Sequence, residues 1–588
     1  MSTQLEAPPK APAPVPSRRT LAPLRLNTIL ATIVVGVLLV FGLWSLNYLG
    51  INFATLADSV SNGIEFVSRA TPLSFPPLGE TAVLIAQTLA IVISATLLSM
   101  VLSAPLAFWA AANTSPNIAA RLGSRGVIVV ARAIPDIVLA IIFVRIFGLG
   151  ILPGVLAMGL HSIGMIGKMY GDAIEQIDEG PRTALRAAGA TRRQQLIGGV
   201  LPQVLPAFVA TAMHRLDINL RISVLLGYVG VAGIGKEIKD AVESLQYRRA
   251  LALALIILVL IIIMELISGA VRKMLLGPAG AEPSRFGFVR LFRWIGRKLT
   301  GRRPKEEVKV PAPRGAVAVA SQRISPPWTF RRIRRFTYML LGLAIAGVSV
   351  VYVVVDFTGI GGGVGFIDTM SRLWPPGTGG VAMSELWFSL FETFVIAMAA
   401  LVIGLVLALP VGCLAARNVA PNSVIAKIFR IFIVCVRGVP ELVLAILFVI
   451  IVGLGTVAGA FALAIGAIGL LGKLVADSLE EVDPGVEQAL RATGASRVRV
   501  FFAATLPQAL PAFIGHILYQ LDVNFRAATI LGIVGSGGIG YYLLQASRVR
   551  EFETVTTITL MIFGVVMTIE LIAMWLRRTA GAKSGGAA

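Results

Sequence analysis

Long apolar runs set between short polar breaks dominate this chain from residue 26 onward. LNTILATIVVGVLLVFGLWSL from Leu26, ALALALIILVLIIIMELISGA from Ala250 and TVTTITLMIFGVVMTIELIAMWL ending at Leu576 are the clearest. Each has the roughly 20 residues that carry a helix across a bilayer core of about 30 Å. Other runs are broken by Pro and Gly, and the pattern predicts about twelve spans.

The same pattern occurs twice, at a constant offset of 305 residues and without a gap from 77–273 to 382–578. ARAIPDIVLAIIFV (131–144) returns as VRGVPELVLAILFV (436–449), and LDINLRISVLLGYVGVAGIG returns as LDVNFRAATILGIVGSGGIG. Glu265, Arg272 and Lys273 reappear as Glu570, Arg577 and Arg578. Each copy is predicted to hold about six spans. One precedes the matched region, and the first copy continues with spans near 80–112, 124–148, 151–174, 199–224 and 250–271. An even number per copy returns the chain to the same side. The fold expected is therefore an all-α integral membrane protein of two parallel six-helix repeats, related by a pseudo-twofold axis along the membrane normal. The expected divisions are a disordered cytoplasmic N-terminus at 1–25, the first repeat at 26–274, a basic cytoplasmic linker at 275–335, the second repeat at 336–578 and a tail at 579–588.

Composition agrees with a membrane chain: of 588 residues, 56% are hydrophobic and 14% charged, with mean hydropathy +0.83. The net charge of +21 raises nucleic acid as a partner, but its placement excludes that reading. Between residues 272 and 335 there are 17 Lys or Arg against 3 Glu, in a segment joining two apolar blocks. The positive-inside rule puts such a segment, and with it both termini, in the cytoplasm, where contact with anionic membrane lipids is expected. Cys413 and Cys435 lie in apolar helical sequence, which argues against a disulfide framework. The Pro-rich start lacks a cleavable-signal pattern, and the first apolar run is long enough to stay as a span.

GYVGVAGIGKE (227–237) contains Gly230, Gly235 and Lys236 in the spacing of a phosphate-cradling loop. Such a loop needs Ser or Thr after the lysine and a strand before it; here Glu237 follows, and an apolar helix precedes. The sister stretch GIVGSGGIGYY spells a dinucleotide-type spacing instead. One repeat position cannot be both, so a glycine-rich bend is expected, acting as a flexible gate.

Between the fourth and fifth spans of each copy lies a polar helical stretch, PRTALRAAGATRRQQLIGGVLPQ and PGVEQALRATGASRVRVFFAATLPQ. These resemble the EAA loop of permease subunits of binding-protein-dependent ABC importers, with Gly189 and Gly494 as its glycine and Pro202 and Pro507 as its proline. Together with R-x-x-P-[DE]-x-V-L-A, LPQ-x-LPAF and LD-x-N-x-R, they resemble the phosphonate-transport permeases over about 200 residues of each half. The resemblance implies a type I importer permease (MetI-like) fold. It also implies a coupling helix docking on an ABC ATPase subunit, and an extracytoplasmic binding protein as further partner. The coupling residues so implied are Ala184, Ala187 and Gly189, with Ala489, Ala492 and Gly494. Thr183 and Gln488 stand where the EAA consensus has Glu, which weakens a specific ion pair to the ATPase but not docking.

Charged residues also recur inside the spans. Asp217 and Arg221, like Asp522 and Arg526, are four apart and share a helix face, so each pair can form a salt bridge. Two roles fit: self-neutralising pairs that pin the halves, or a pathway in which Arg221 and Arg526 meet and offer guanidinium groups to a tetrahedral oxyanion. Asn219 and Asn524 lie off that face and join only if the helix is distorted. Arg132 and Arg437 each precede a proline and an acid (Asp136, Glu441), giving either a local ion pair or a substrate contact, beside a proline kink that frees a carbonyl. Lys168 and Lys473 are expected to anchor at the interface, and His161 to be a packed neutral histidine.

No metal-ligand cluster, catalytic constellation or cofactor motif is recognised. The function expected is thus the membrane part of an ATP-driven importer for phosphonate or a related phosphorus oxyanion across the cytoplasmic membrane. ATP hydrolysis would reside in separate ATPase subunits, two copies being expected. Alternatives are an importer for phosphate, phosphite, an amino acid or betaine, and an ATP-independent anion transporter.

Overall fold

A computed structural model describes residues 26–52, 61, 63–65, 68, 71–280, 330–358 and 371–581. The disordered start expected over 1–25, most of the basic linker and most of the tail lie outside the described residues. Within them the first repeat consists of α1 (Leu26–Tyr48), α2 (Leu78–Ala110), α3 (Ile118–Ala133), α4 (Asp136–Phe147), α5 (Leu152–Glu175), α6 (Gly180–Ala187), α7 (Leu201–Leu226), α8 (Ile234–Glu243) and α9 (Tyr247–Gly280). The second repeats it helix for helix: α10 (Phe330–Thr358), α11 (Met383–Ala415), α12 (Ser423–Gly438), α13 (Glu441–Val452), α14 (Thr456–Glu480), α15 (Pro484–Ala492), α16 (Leu506–Leu531), α17 (Ile539–Val549) and α18 (Phe552–Gly581).

Eight of the described helices are long and apolar enough to cross a membrane, and two bent pairs bring the number to ten. The bent pairs are α3 with α4, at 85°, and α12 with α13, at 79°. Each breaks at its proline: Pro135 and Pro440 cap α4 and α13, and the residue before a proline is driven out of the helical region. The expected span 124–148 is therefore two helices meeting at a corner inside the bundle. α1 and α5 complete the six of the first repeat. α5 carries five glycines along its length, and they let it pack closely.

Association within a bilayer depends on close contact of small residues, since lipid is as apolar as the helices. α5 packs along α2 and α14 along α11. A Cβ on Gly159 would lie 2.7 Å from Leu98, and one on Gly404 would lie 2.7 Å from Ala467. Gly164 faces the Arg132 backbone, where a Cβ would stand at 2.6 Å, and Gly469 faces Arg437 at 2.9 Å. These glycines bring α5 and α14 against the last turns of α3 and α12 and so place both arginines.

The first helices are exchanged between the repeats. α1 packs on α11 and α18 of the second repeat, and α10 packs on α2 and α5 of the first. The ring of Phe41 lies 5.5 Å from that of Phe394, and Trp44 lies 6.1 Å from Phe391. On the other side, Asp356 of α10 accepts the Ile151 backbone N–H at 3.2 Å, a carboxylate at the N-terminus of α5 where the helix dipole favours it. Further contacts cross between halves, among them α3 with α18 and α9 with α12.

Candidate functional site

The short helices α6 and α15 carry almost no buried residue; only Glu487 of α15 is covered. Ala184, Ala187, Gly189, Ala489, Ala492 and Gly494 are all exposed. Gly189 and Gly494 adopt φ of +78° and +80°, the left-handed conformation that ends a helix. The following residues close the cap, with Ala190 N donating to Leu185 O at 3.0 Å and Ala495 N to Leu490 O at 3.4 Å. Nothing lies within 4 Å of where a Cβ would project from either glycine, so the backbone turn alone demands them.

Both helices are braced from behind. Asn113 donates to Glu179 at 3.0 Å and to Ile174 O at 2.7 Å, while Arg182 donates to Asn113 O at 2.6 Å. In the second repeat Glu487 takes over, accepting from Thr505 at 2.6 Å, Asn418 at 3.4 Å and Arg491 at 3.3 Å. Glu175 and Glu480 tie the ends of α5 and α14 to Arg125 and Arg430 and to the Ala112 and Arg417 amides. Thr183 and Gln488 have glutamates close by, Glu179 and Glu487, and these serve the chain's own brace.

The glycine bends after α7 and α16 hold no strand; the one bridge near them joins Gly150 to Val231. Backbone donors that a phosphate would need are taken by the chain. Ile234 N donates to Thr88 Oγ1 at 3.1 Å, Ile539 N to Thr393 Oγ1 at 2.8 Å, and Gly538 N to Glu392 at 2.9 Å. Lys236 pairs with Asp240 at 3.3 Å. A Cβ on Gly235 would overlap the Val224 carbonyl oxygen, and one on Gly540 that of Thr529. The expectation of a flexible gate gives way here to a bend fixed by backbone against backbone. Lys236→Ala is expected to leave transport at the wild-type rate, because an exposed i,i+4 pair is worth only about 0.3–0.5 kcal/mol; radiolabelled uptake in cells checks it, and a collapse of uptake would reinstate a phosphate role for the loop.

The intramembrane charges are arranged differently at the two crossings. Asp522 and Arg526 pair as expected, with Oδ2 to Nη2 at 2.7 Å, Oδ1 to Nη2 at 2.8 Å and Oδ1 to Nε at 3.1 Å. Arg526 also reaches into the other half and donates to Arg132 O at 3.3 Å. Asp217 and Arg221 do not pair. Asp217 accepts from Ser268 Oγ at 2.7 Å, and Arg221 has Glu265 as its nearest acid, at 3.9 Å. The copies differ at the partner: Ser268 corresponds to Ala573, which has no hydroxyl to offer Asp522.

Arg132 pairs with Glu570, across the halves and not with Asp136, whose carboxylate accepts the Ile137 amide. By the repeat, Glu265 would pair with Arg437, but it has turned to Arg221. Among the described residues Arg437 makes no ion pair, and Nε of Arg221 is buried without a hydrogen-bond partner. Among the described residues no hydrogen bond joins Arg221 to Arg526; Arg526 faces the broken helix of the opposite half.

Asn219 and Asn524 are fully buried in packing contacts and turned from the crossings. Asn219 donates to Thr96 at 3.0 Å and accepts from Ser162 at 3.2 Å, and Asn524 accepts from Gln520 at 2.7 Å. His161 donates from Nδ1 to Ile134 O at 2.9 Å, covering a carbonyl that the Pro135 break exposes. Lys168 is exposed, and Lys473 lies 4.0 Å from Asp477. Two residues carry signals that the repeat comparison passes over because they occur once: Arg215, which donates to Ser162 at 2.7 Å and corresponds to Gln520, and His214, which corresponds to Tyr519.

A helix bundle built twice, each copy presenting one bare, rigidly braced helix beside its spans, is what a transmembrane permease offers to a partner on one face of the membrane. The chain matches the family described as binding-protein-dependent transport system inner membrane component over residues 103–275 and 408–581, and it belongs to that family. It is 38% identical over 534 residues to the phosphate-import permease protein PhnE of Mycolicibacterium smegmatis, covering 91% of each chain. It is also 39% identical over 227 residues to the phosphite transport system permease protein PtxC of Stutzerimonas stutzeri, covering 38% of this chain and 82% of that one. A solved inward-facing structure of the MetNI methionine ABC transporter aligns with 34% of this chain and 99% of its own, at 22% identity and a TM-score of 0.32.

Proposed function

We propose that this chain forms both permease halves of an ATP-driven importer for phosphonate or a related phosphorus oxyanion, phosphate and phosphite included. The observation that supports it best is the doubled, exposed, glycine-capped helix, α6 and α15, with its side facing the bundle held by a hydrogen-bonded brace. Each would seat one ABC ATPase subunit, so two copies are expected, and an extracytoplasmic binding protein would deliver cargo at the opposite end. The units run from 26 to 274 and from 336 to 578, with the basic segment between them and both termini on the ATPase side. The phosphorus oxyanion follows from the relatives' names and from intramembrane guanidinium groups whose donors match phosphorus-bound oxygens bidentately.

In this reading the ATPases close on ATP, α6 and α15 carry that motion into the spans, and the halves rock about the crossings to alternate access. The chain supplies the route and hydrolyses nothing. Cells expressing the chain with its ATPase and binding protein are expected to accumulate labelled phosphate, phosphite or methylphosphonate. Arg221→Ala should abolish uptake while the ATPase still co-purifies. A chain that binds no ATPase, or that moves these anions in liposomes without ATP, is not an importer permease.

A further inference from the structure

The exchanged helix α1 does not close evenly on the second repeat. Nearer its start it meets α16 and α18, where Val34 and Leu38 pack against the cluster of Leu518, Ala573 and Leu576. Farther along it leans on α11, with the ring of Phe41 lying 6.2 Å from that of Phe391 and 5.5 Å from that of Phe394. Beside these two holds a cleft of about 750 Å³ is left, walled by α11, α16 and α18, with Leu38 of α1 also in its lining.

The stripe that α18 gives the cleft runs from Thr557 through Leu560, Gly564 and Thr568 to Ile572, a length of about 22 Å at 1.5 Å per residue. Gly564 makes room: nothing lies within 4 Å of where its Cβ would project, and the first repeat has Val259 in its place. The aromatic wall belongs to this half alone, since Trp387, Phe391 and Phe394 correspond to Ala82, Ala86 and Leu89. Both hydroxyls in the lining are spent inside the chain, Thr557 donating to Gly377 O at 2.6 Å and Thr568 to Gly564 O at 2.8 Å. The cleft thus offers neither a charge nor a free hydroxyl, and an apolar void of this kind stays dry or takes an apolar guest. Trp387, Phe391 and Leu560 are exposed, so it opens on the outer surface of a bundle whose surroundings are lipid. The chain beyond α1 goes elsewhere: a Cβ on Gly63 would stand 3.5 Å from Ile451 of α13, which takes no part in the cleft.

We propose that this cleft is a binding site for one acyl tail of a membrane phospholipid, held as a fixed part of the assembled protein. Its volume falls within the roughly 300–1,000 Å³ of specific ligand pockets, and its length fits inside a hydrocarbon core of about 30 Å. A tail seated there supplies the close contacts that α1 lacks along α18, the contacts on which helix association in a bilayer depends. It also lies against Leu521, the neighbour in sequence of Asp522, so the guest backs the helix that carries the Asp522–Arg526 pair. The first repeat, with Val259 for Gly564 and alanines for two of the aromatic rings, is expected to hold no such tail.

The test is photolabelling of the full chain in nanodiscs of phosphatidylcholine that carries a diazirine midway along one tail, mapped by peptide mass spectrometry. Label on the peptides holding Trp387 to Phe394 and Thr557 to Ile572 is expected to exceed that on Val348 and Val351, bare residues of α10, by roughly fivefold or more, about 1 kcal/mol of preference. Gly564→Phe, whose ring grows into the cleft, should remove the excess. Gly347→Phe on α10, where a Cβ likewise meets nothing within 4 Å, should leave it unchanged. Native mass spectrometry should find one phospholipid per wild-type chain after exchange into detergent, and none on Gly564→Phe. Label no stronger in the cleft than on α10 would mean ordinary boundary lipid, and no label there would mean that the chain itself covers the cleft; either overturns the proposal, as does an excess that survives Gly564→Phe. Should Gly564→Phe fail to assemble, the ratio of labels in the wild type decides alone.

Discussion

Asp522→Ala is expected to destabilise the assembled chain by about 3–5 kcal/mol, the usual result of stripping one partner from a buried ion pair. Arg526 donates three hydrogen bonds to that carboxylate, with the side chains only 20% and 15% exposed, and it donates also to the Arg132 carbonyl. Without Asp522 a guanidinium is left in the crossing with one backbone oxygen to meet it. Replacing both partners, as in Asp522→Leu with Arg526→Leu, should cost less than the single change, because no bare charge remains. Asp217→Ala should cost less too, since among the described residues its only hydrogen bond is to Ser268 and Arg221 keeps Glu265. Thermal unfolding of the purified chain in detergent ranks the three, and a midpoint for Asp522→Ala equal to the wild type would show that the pair does not hold the crossing.

The second large effect is expected at Gly540→Val. The new Cβ would overlap the Thr529 carbonyl, and α17 is tied to α11 there because Ile539 N donates to Thr393. The obstacle is backbone, which has no rotamer to change, so the cost should reach or exceed the roughly 1–3 kcal/mol of ordinary overpacking. Gly235→Val should behave alike, against the Val224 carbonyl. Gly564→Val is the control: nothing lies within 4 Å of its Cβ position, and the variant should accumulate normally. Membrane yield and melting temperature check the set, and a Gly540→Val protein as abundant and as stable as Gly564→Val would leave these glycines unexplained by packing.

Repetition made much of this fold legible. The offset of 305 marks the corresponding spans, the helix-ending glycines Gly189 and Gly494 and the two proline breaks, and all three are present. It misled where the copies differ. Spacing of four allows Asp217 to pair with Arg221, but Asp217 accepts instead from Ser268, 51 positions later on a helix whose packing against α7 no local pattern reveals. The difference from Ala573 was visible as a letter and not as chemistry. Asn219 and Asn524 were placed off the charged face, and the structure buries them in the seams with α2 and α11. The exchange of α1 and α10 left no trace in the alignment of copies because both helices precede the matched region, and a uniformly apolar helix does not announce its neighbour.

That exchange bears on how the halves diverged. A six-helix unit whose opening helix is lodged in another unit cannot be completed by itself, and two separate, like units would always meet as equals. Once joined in one polypeptide, each unit meets only its sibling. A serine on one side and an alanine on the other then face fixed counterparts in every molecule made, and a difference of one oxygen atom becomes a heritable left and right.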